Sequence, residues 1–322
     1  MHKSVTLAIL GCSALFAWAA QAQDAAFPAR TVSVVIPYPP GGSADGEARP
    51  LAAQLSRLWS SPVIIESRTG AGSTVGAAYV AAAKPDGYTL FKAATSHAIS
   101  ASLYPGLRYD PVKSFSGVAL TVTSPFIIAV NAKSGIHTLA ELIARAKANP
   151  GNLNYGSSGI GAGPHLGGEI FRKAAGIEVT HVPYNGSAAA LVELAGGRLD
   201  YLMTDASAIP MIKSGLVIPL AVTSPKRYRL LPDVPTMSEL LPAAADVTNW
   251  GSVLAPAGTP RTIVDFLARS IAKALEAPEI RKIYETEGYD VQFFGPEETD
   301  RFLAAEVAKY RAVIADAHIM AQ

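Results

Sequence analysis

The chain has 322 residues, enough for one large domain or two of ordinary size. Hydrophobic residues make up 49% and charged residues only 16%, which excludes a disordered chain. Lys and Arg number 27 against 26 Asp and Glu, so no global field favours nucleic acid or an anionic membrane. Any attraction for an anion has to be local.

The N-terminus reads as a secretory signal. His2 and Lys3 precede an apolar core from Val5 to Ala19, and Ala20-Gln21-Ala22 forms a small-residue cleavage site. Residues 1–22 are expected to be removed, placing the protein in the periplasm. The stretch is short for a transmembrane helix and ends in small polar residues. Cys12, the lone cysteine, lies inside it. Ile9-Leu10-Gly11-Cys12 has the outline of a lipoprotein box, but the apolar run continues past Cys12, which favours plain cleavage. The mature chain then has no disulfide, thiol nucleophile or cysteine metal site, and losing Lys3 leaves it formally neutral.

Next, the β-branched run Val32–Tyr38 meets Pro39-Pro40-Gly41-Gly42-Ser43-Ala44-Asp45. Two prolines set the chain direction, two glycines permit close backbone approach, and Ser43 and Asp45 open a helix. The first amides of a helix have no partner within it and carry partial positive charge, so such an end holds carboxylate or phosphate without Lys or Arg. Pro50 and Gly46 fall inside the expected helix, which has to kink there or give way to a short separate turn over Ser43–Arg49. Strands at Val63–Ser67 and Tyr88–Ala93 follow, with Gly76–Ala83 helical between them. The run Gly70-Ala71-Gly72-Ser73-Thr74-Val75-Gly76 is one residue too long for a dinucleotide fingerprint, and no cofactor is expected.

A second set of elements begins with Phe126–Asn131. Thr138, with Glu141 three residues on, forms a capping box for a helix to Ala148. Strands are expected at Leu153–Gly156, Glu178–Val182, Tyr201–Thr204 and Val217–Val222, with helices at about Leu166–Ala175, Ala188–Gly196 and Ala208–Lys213. Gly156-Ser157-Ser158-Gly159-Ile160-Gly161-Ala162-Gly163-Pro164-His165 repeats the logic of the first anion trap. After a proline-rich loop and a strand at Trp250–Pro256, the chain reads as helical only: Pro260–Ala277, Pro278–Glu287 and Pro296–Ala317. This alternation predicts α/β layers around a largely parallel sheet. If the terminal helices pack back on the first strands, the chain crosses twice between two lobes. Residues 23–124 with 250–322 then form lobe 1, residues 125–249 form lobe 2, and a cleft lies between them.

At these residues the chain resembles the periplasmic solute receptors of tripartite tricarboxylate transporters, the Bug or TctC-like family. The resemblance is carried by Tyr38-Pro39-Pro40-Gly41-Gly42-Ser43-Ala44-Asp45, Arg68-Thr69-Gly70-Ala71-Gly72, Lys84-Pro85-Asp86-Gly87-Tyr88-Thr89-Leu90 and Tyr109-Asp110-Pro111. Later pieces are His181-Val182-Pro183-Tyr184, Pro232-Asp233-Val234-Pro235-Thr236 and Leu254-Ala255-Pro256-Ala257-Gly258-Thr259-Pro260. It implies a type II periplasmic-binding-protein fold whose two lobes close on a small carboxylate and deliver it to membrane permease subunits. Carried over, the contacts are Tyr38, Gly41, Gly42, Ser43 and Asp45 in one lobe, and Ser157, Ser158, Gly161, Ala162 and His165 in the other. Thr95 and Ser96, in an expected loop at Thr95-Ser96-His97, together with Tyr184 and Asp205 complete the set. Relatives usually place asparagine and isoleucine at Thr74-Val75, often asparagine at Ile160, and hydroxyl residues at Ala162 and Gly163. This pocket therefore has fewer side-chain donors.

Each position also has a plainer reading. Gly41-Gly42-Ser43 can be an ordinary strand-to-helix turn, and Asp45 can satisfy amides at a helix start while repelling an anion. His165 orders its loop more readily than it touches ligand. Tyr184 and Asp205 can each line the cleft or lie structurally beneath it. Three functions follow: a transport receptor acting as a monomer, a sensory receptor presenting the same closed form to a signalling protein, or a serine hydrolase. The last lacks a G-x-S-x-G elbow. The scattered histidines offer no metal site.

Overall fold

The computed structural model describes residues 27–104, 106–244 and 246–317; the expected signal segment and Cys12 lie outside them. In chain order the first elements are β1 (Val32–Ile36), α1 (Ser43–Trp59), β2 (Val63–Ser67), α2 (Thr74–Ala81), β3 (Thr89–Ala94), α3 (Thr95–Leu103) and β4 (Phe115–Pro125). Then come β5 (Ile127–Asn131), α4 (Leu139–Ala148), β6 (Asn154–Ser157), α5 (Gly163–Ala175), β7 (Thr180–Pro183), α6 (Ser187–Ala195), β8 (Tyr201–Thr204), α7 (Ile209–Lys213) and β9 (Val217–Val222). The chain ends with α8 (Met237–Leu240), β10 (Thr248–Pro256), α9 (Arg261–Glu276), α10 (Pro278–Thr286), β11 (Asp290–Phe294) and α11 (Pro296–Ala317).

Two sheets result, ordered β11-β4-β10-β3-β1-β2 and β7-β6-β8-β5-β9. The expectation of a largely parallel sheet is corrected: each sheet is mixed. Strands joined by helical crossovers pair in parallel, as β1 does with β2 and β3, and β6 with β7 and β8. The two long strands that carry the chain between lobes, β4 and β10, run antiparallel to each other, with Thr248 opposite Pro125. The C-terminal region is not helical only, because β11 joins the edge of the first sheet against β4. The segment after Ala94 is not a loop either: Thr95, Ser96 and His97 start α3.

Helices pack on both faces of the first sheet. Leu51 and Leu55 of α1, Val264, Leu267 and Ile271 of α9, and Tyr284 of α10 bury one face against Val32, Val34 and Leu90. The other face continues without a break into the second lobe, from Phe91 and Ile99 through Phe126 to Tyr155, Leu166 and Phe171. Helix α1 passes Pro50 as one helix. Proline removes the bond to the Gly46 carbonyl; separately, Tyr289 and Tyr284 tie the start of the helix by donating to the carbonyls of Ser43 and Glu47, each at 2.7 Å.

A buried ion pair fixes the start of α1 on the sheet. Lys92 of β3 sits 2.5 Å from Glu47 of α1, and both side chains are more than nine-tenths buried. Thr121 of β4 hydrogen-bonds Glu47 at 2.6 Å and accepts from Lys92 at 3.2 Å. Burial pulls the Lys92 ammonium below its usual range, while the Glu47 carboxylate pulls it back up. Gly251 of β10 leaves the room: a Cβ there would meet Glu47 Oε2 at 2.2 Å and Lys92 Nζ at 2.3 Å. Removing one partner of such a pair strands the other charge, at a cost of about 3–5 kcal/mol. Lys92→Met is expected to lose that much stability in urea unfolding, and adding Glu47→Gln to restore part of it. A small loss for the single variant would contradict this role.

Candidate ligand-binding cleft

Four helices begin at one chamber between the lobes. Its wall includes Gly42-Ser43-Ala44 at the start of α1, Thr95-Ser96 at α3, Gly163-Pro164 at α5 and Gly186-Ser187-Ala188 at α6. Each follows directly on a β-strand or its short connecting loop, so these ends converge where strands stop. Their N-cap residues are Gly42, Ala94, Ala162 and Gly186, and none supplies a side-chain cap. Elsewhere, α4 and α8 carry complete capping boxes from Thr138 and Thr236, and α2, α7, α9 and α10 start without a side-chain cap, so it is convergence that distinguishes these four. Uncapped ends leave amides for a guest and carry about half a positive charge each. Four sum to roughly two charges. Phe126 supports the α5 end, and a Cβ on Gly163 would sit 2.2 Å from its ring.

Three ionised side chains reach the chamber: Glu47 and Lys92, which cancel, and Asp205. Asp205 accepts from Ser187 Oγ at 2.7 Å and from the Ser207 amide and hydroxyl at 3.0 and 2.5 Å. It therefore offsets part of the positive potential on the lobe 2 side and leaves a net attraction for one anionic group beside α1, α3 and α5. Tyr38 stands across the chamber. Burial pushes its phenol up to about 12, Ser96 works against that shift, and Asp205 adds to it. Ser96 Oγ is buried and makes no regular hydrogen bond. Thr95 also reaches the wall, but its hydroxyl is taken, donating to the Thr248 carbonyl at 3.0 Å and accepting from the Trp250 amide at 3.1 Å.

Tyr38, Gly42, Ser43, Thr95, Ser96, Ser158 and Asp205 thus come together in one chamber. Ala162 and Tyr184 line a second, more open space that shares Tyr38 and Ser158 with it. Gly41, Asp45, Ser157, Gly161 and His165 line neither. Gly41, with φ at +86°, turns the loop so that its amide reaches Asp45 at 3.0 Å, while Arg49 holds the same carboxylate at 2.8 Å. Asp45 closes the loop on itself. His165 Nδ1 accepts from the Gly161 amide at 3.3 Å, and its ring stacks on His181 at 4.3 Å. Ser157 Oγ lies 2.7 Å from His181 Nε2 with its side chain wholly buried.

The sequence reading missed the α6 end. Asn185-Gly186-Ser187 follows β7 and opens an apolar helix, the same grammar as the two recognised traps, without their length of glycine. It also missed Lys92, whose signal is a lone charge inside the apolar run Leu90–Ala94. Glu47, its partner, is unrecognisable from sequence because 45 positions separate them.

The model of the TctC family, described as the tripartite tricarboxylate transporter family receptor, matches residues 47–319. The chain belongs to this family. Among its relatives is the protein BugT of Bordetella pertussis, 32% identical over 318 residues, which span 98% of each chain. The structure of the periplasmic binding protein BugD superposes with a TM-score of 0.86 at 32% identity, covering 92% of this chain and 100% of that one. A structure of R. palustris Rpa4515 with adipate gives 0.86 at 33% identity, covering 91% and 99%. As a TctC-family protein the chain is a solute-binding receptor and not an enzyme.

In this receptor the first trap keeps its shape through Asp45. Burial pushes its carboxyl up, but the hydrogen bonds from Arg49 and the Gly41 amide more than reverse this and hold it below the usual range. The stabilisation is therefore present above the unfolded-state value of about 4 and lost as pH falls through the lower folded-state value. Urea midpoints of wild type and Asp45→Asn should differ most at neutral pH and converge in acid. A gap that stays constant down to about pH 2 would show that charge does not close the loop.

Proposed function

We propose that this chain is a periplasmic receptor that captures a small carboxylate in the chamber and presents it to the permease subunits of a tripartite tricarboxylate-type transporter. The observation that carries this reading is the convergence of four uncapped helix N-termini on one chamber whose only lysine is already paired. The ligand carboxylate takes the amides of α1, α3 and α5, with Ser43, Ser96 and Ser158 as hydroxyl partners. Asp205 faces the rest of the ligand as an acceptor. Lobe 1 comprises residues 23–124 and 250–322, and lobe 2 residues 125–249. Export follows cleavage after residue 22, and the receptor works as a monomer. Adipate in a relative one-third identical supports an organic acid as the ligand class.

Contacts across the cleft describe a closed form. Tyr104 donates to the Ile160 carbonyl at 3.5 Å, Arg229 pairs with Asp290 at 2.5 Å, and Tyr228 donates to the Gly288 carbonyl. Ligand bound between the lobes favours this form by adding contacts that an open form lacks.

The test places an internal anion at an empty cap. Gly42 has φ −92° and ψ −178°, conformations open to any residue, and a Cβ there meets nothing closer than 3.9 Å. Gly42→Asp is expected to leave stability equal or higher by a few tenths of a kcal/mol, because aspartate caps slightly better than glycine. In isothermal titration it should lower carboxylate affinity by about tenfold to a hundredfold, the value of one charge-assisted hydrogen bond. A folded variant with unchanged affinity for every acid bound by wild type would count against the reading.

A further inference from the structure

Beyond Tyr38 the cleft opens into a vestibule next to the chamber. Tyr38, Pro39, Ser158 and Asn185 line both spaces, so the two adjoin each other at Tyr38. Their chemistry differs sharply. The chamber holds the helix ends and all three ionised side chains, whereas no charged residue lines the vestibule. Its walls are Pro37, Ala71, Tyr104, Ile160, Pro183 and Tyr184, among glycines and a few hydroxyl or amide groups. Thr74, Val75 and Gly76 of the first turn of α2 are not on that wall, although its N-cap Ser73 and the short 3-10 turn Ala71–Ser73 before it are, so the polar groups there are all uncharged.

The walls also come from both lobes. Gly72 and Gly161 approach until a Cβ on Gly161 would sit 3.6 Å from the Gly72 Cα and 3.2 Å from the Tyr104 ring. An apolar group lying there is covered from both sides and, like the carboxylate, contributes to closure. A second carboxylate lying there would lose water and meet no cation, only a few neutral hydroxyl and amide groups, which is unfavourable.

We infer that the vestibule is a tail subsite and that the receptor selects monocarboxylates with an extended uncharged chain or ring over dicarboxylates of the same length. This rests on the receptor reading above, because the chamber has to hold the carboxylate for the tail to emerge past Tyr38. Tyr38 is then a specificity-determining residue: its ring guides the tail, while its buried phenol stays neutral and faces the chamber.

The test is isothermal titration with butanoate, octanoate and octanedioate. Complete burial of four added methylenes at about 0.8 kcal/mol each would give over a hundredfold. A vestibule open on one side covers part of each, so octanoate is expected to bind at least about tenfold tighter than butanoate. Octanedioate, with a second charge at the end of a chain of that length, should bind at least about tenfold weaker than octanoate. In Ile160→Trp, which narrows the vestibule, the octanoate-to-butanoate ratio should collapse towards one. Butanoate binding with no gain for octanoate would overturn the inference and leave the receptor reading intact. Equal or tighter binding of octanedioate, or a ratio unchanged by Ile160→Trp, would also overturn it. Failure of all three acids, and of any other carboxylate, would overturn the receptor reading and this inference together.

Discussion

Unmet hydrogen-bonding demand at helix starts is the constraint on which this molecule turns. A helix N-terminus normally satisfies its first amides with a side chain or water. Thr138 and Thr236 do so for α4 and α8, while α2, α7, α9 and α10 also start without a side-chain cap. What sets the cleft apart is that four such starts, at Gly42, Ala94, Ala162 and Gly186, meet in one space. The potential that results needs no ionised side chain to hold it, and it stays put when pH changes. It is also divided between lobes, two ends from each, so an anion that satisfies both halves holds them together.

Such a site works only if its amides are rigidly aimed, and the supporting structure serves that end. Glu47, Lys92 and Thr121 lock the first turns of α1 to two central strands, with Gly251 leaving the space. Tyr284 and Tyr289 brace the same turns from the C-terminal region. Asp45 and Arg49 tie the preceding loop, and the stacked His165 and His181 hold the second one. Several polar residues near the cleft are thus structural. Asp205 is the exception: its carboxylate lies on the chamber wall while serving as the cap of the short 3-10 turn Ala206–Ala208.

Legibility followed the range of the interactions. Thr138 with Glu141, the long runs at Tyr201–Thr204 and Val217–Val222, and Pro296–Ala317 were readable because their causes lie within a few residues. The traps at Gly42 and Gly163 were readable for the same reason. Strand β11 was not, since Asp290–Phe294 carries mixed polarity and is a strand only because β4 offers it an edge. Helix α3 was hidden because Thr95-Ser96-His97 looks like a polar loop until the aromatic cluster of Phe91, Tyr109 and Phe115 buries His97. In the site, Asp45 and Ser157 are both occupied within the protein, Asp45 by Gly41 and Arg49 and Ser157 by His181. Direction, which decides whether a polar atom faces the chamber or its own loop, has no sequence signal.

The most direct test of the central claim is a high-resolution crystal structure with a carboxylic acid bound. The account predicts carboxylate oxygens within about 3.2 Å of backbone amides in the first turns of α1, α3 and α5, with the Lys92 ammonium still on Glu47. A carboxylate paired with Lys92 or another cationic side chain, or lodged away from these helix starts, would contradict it.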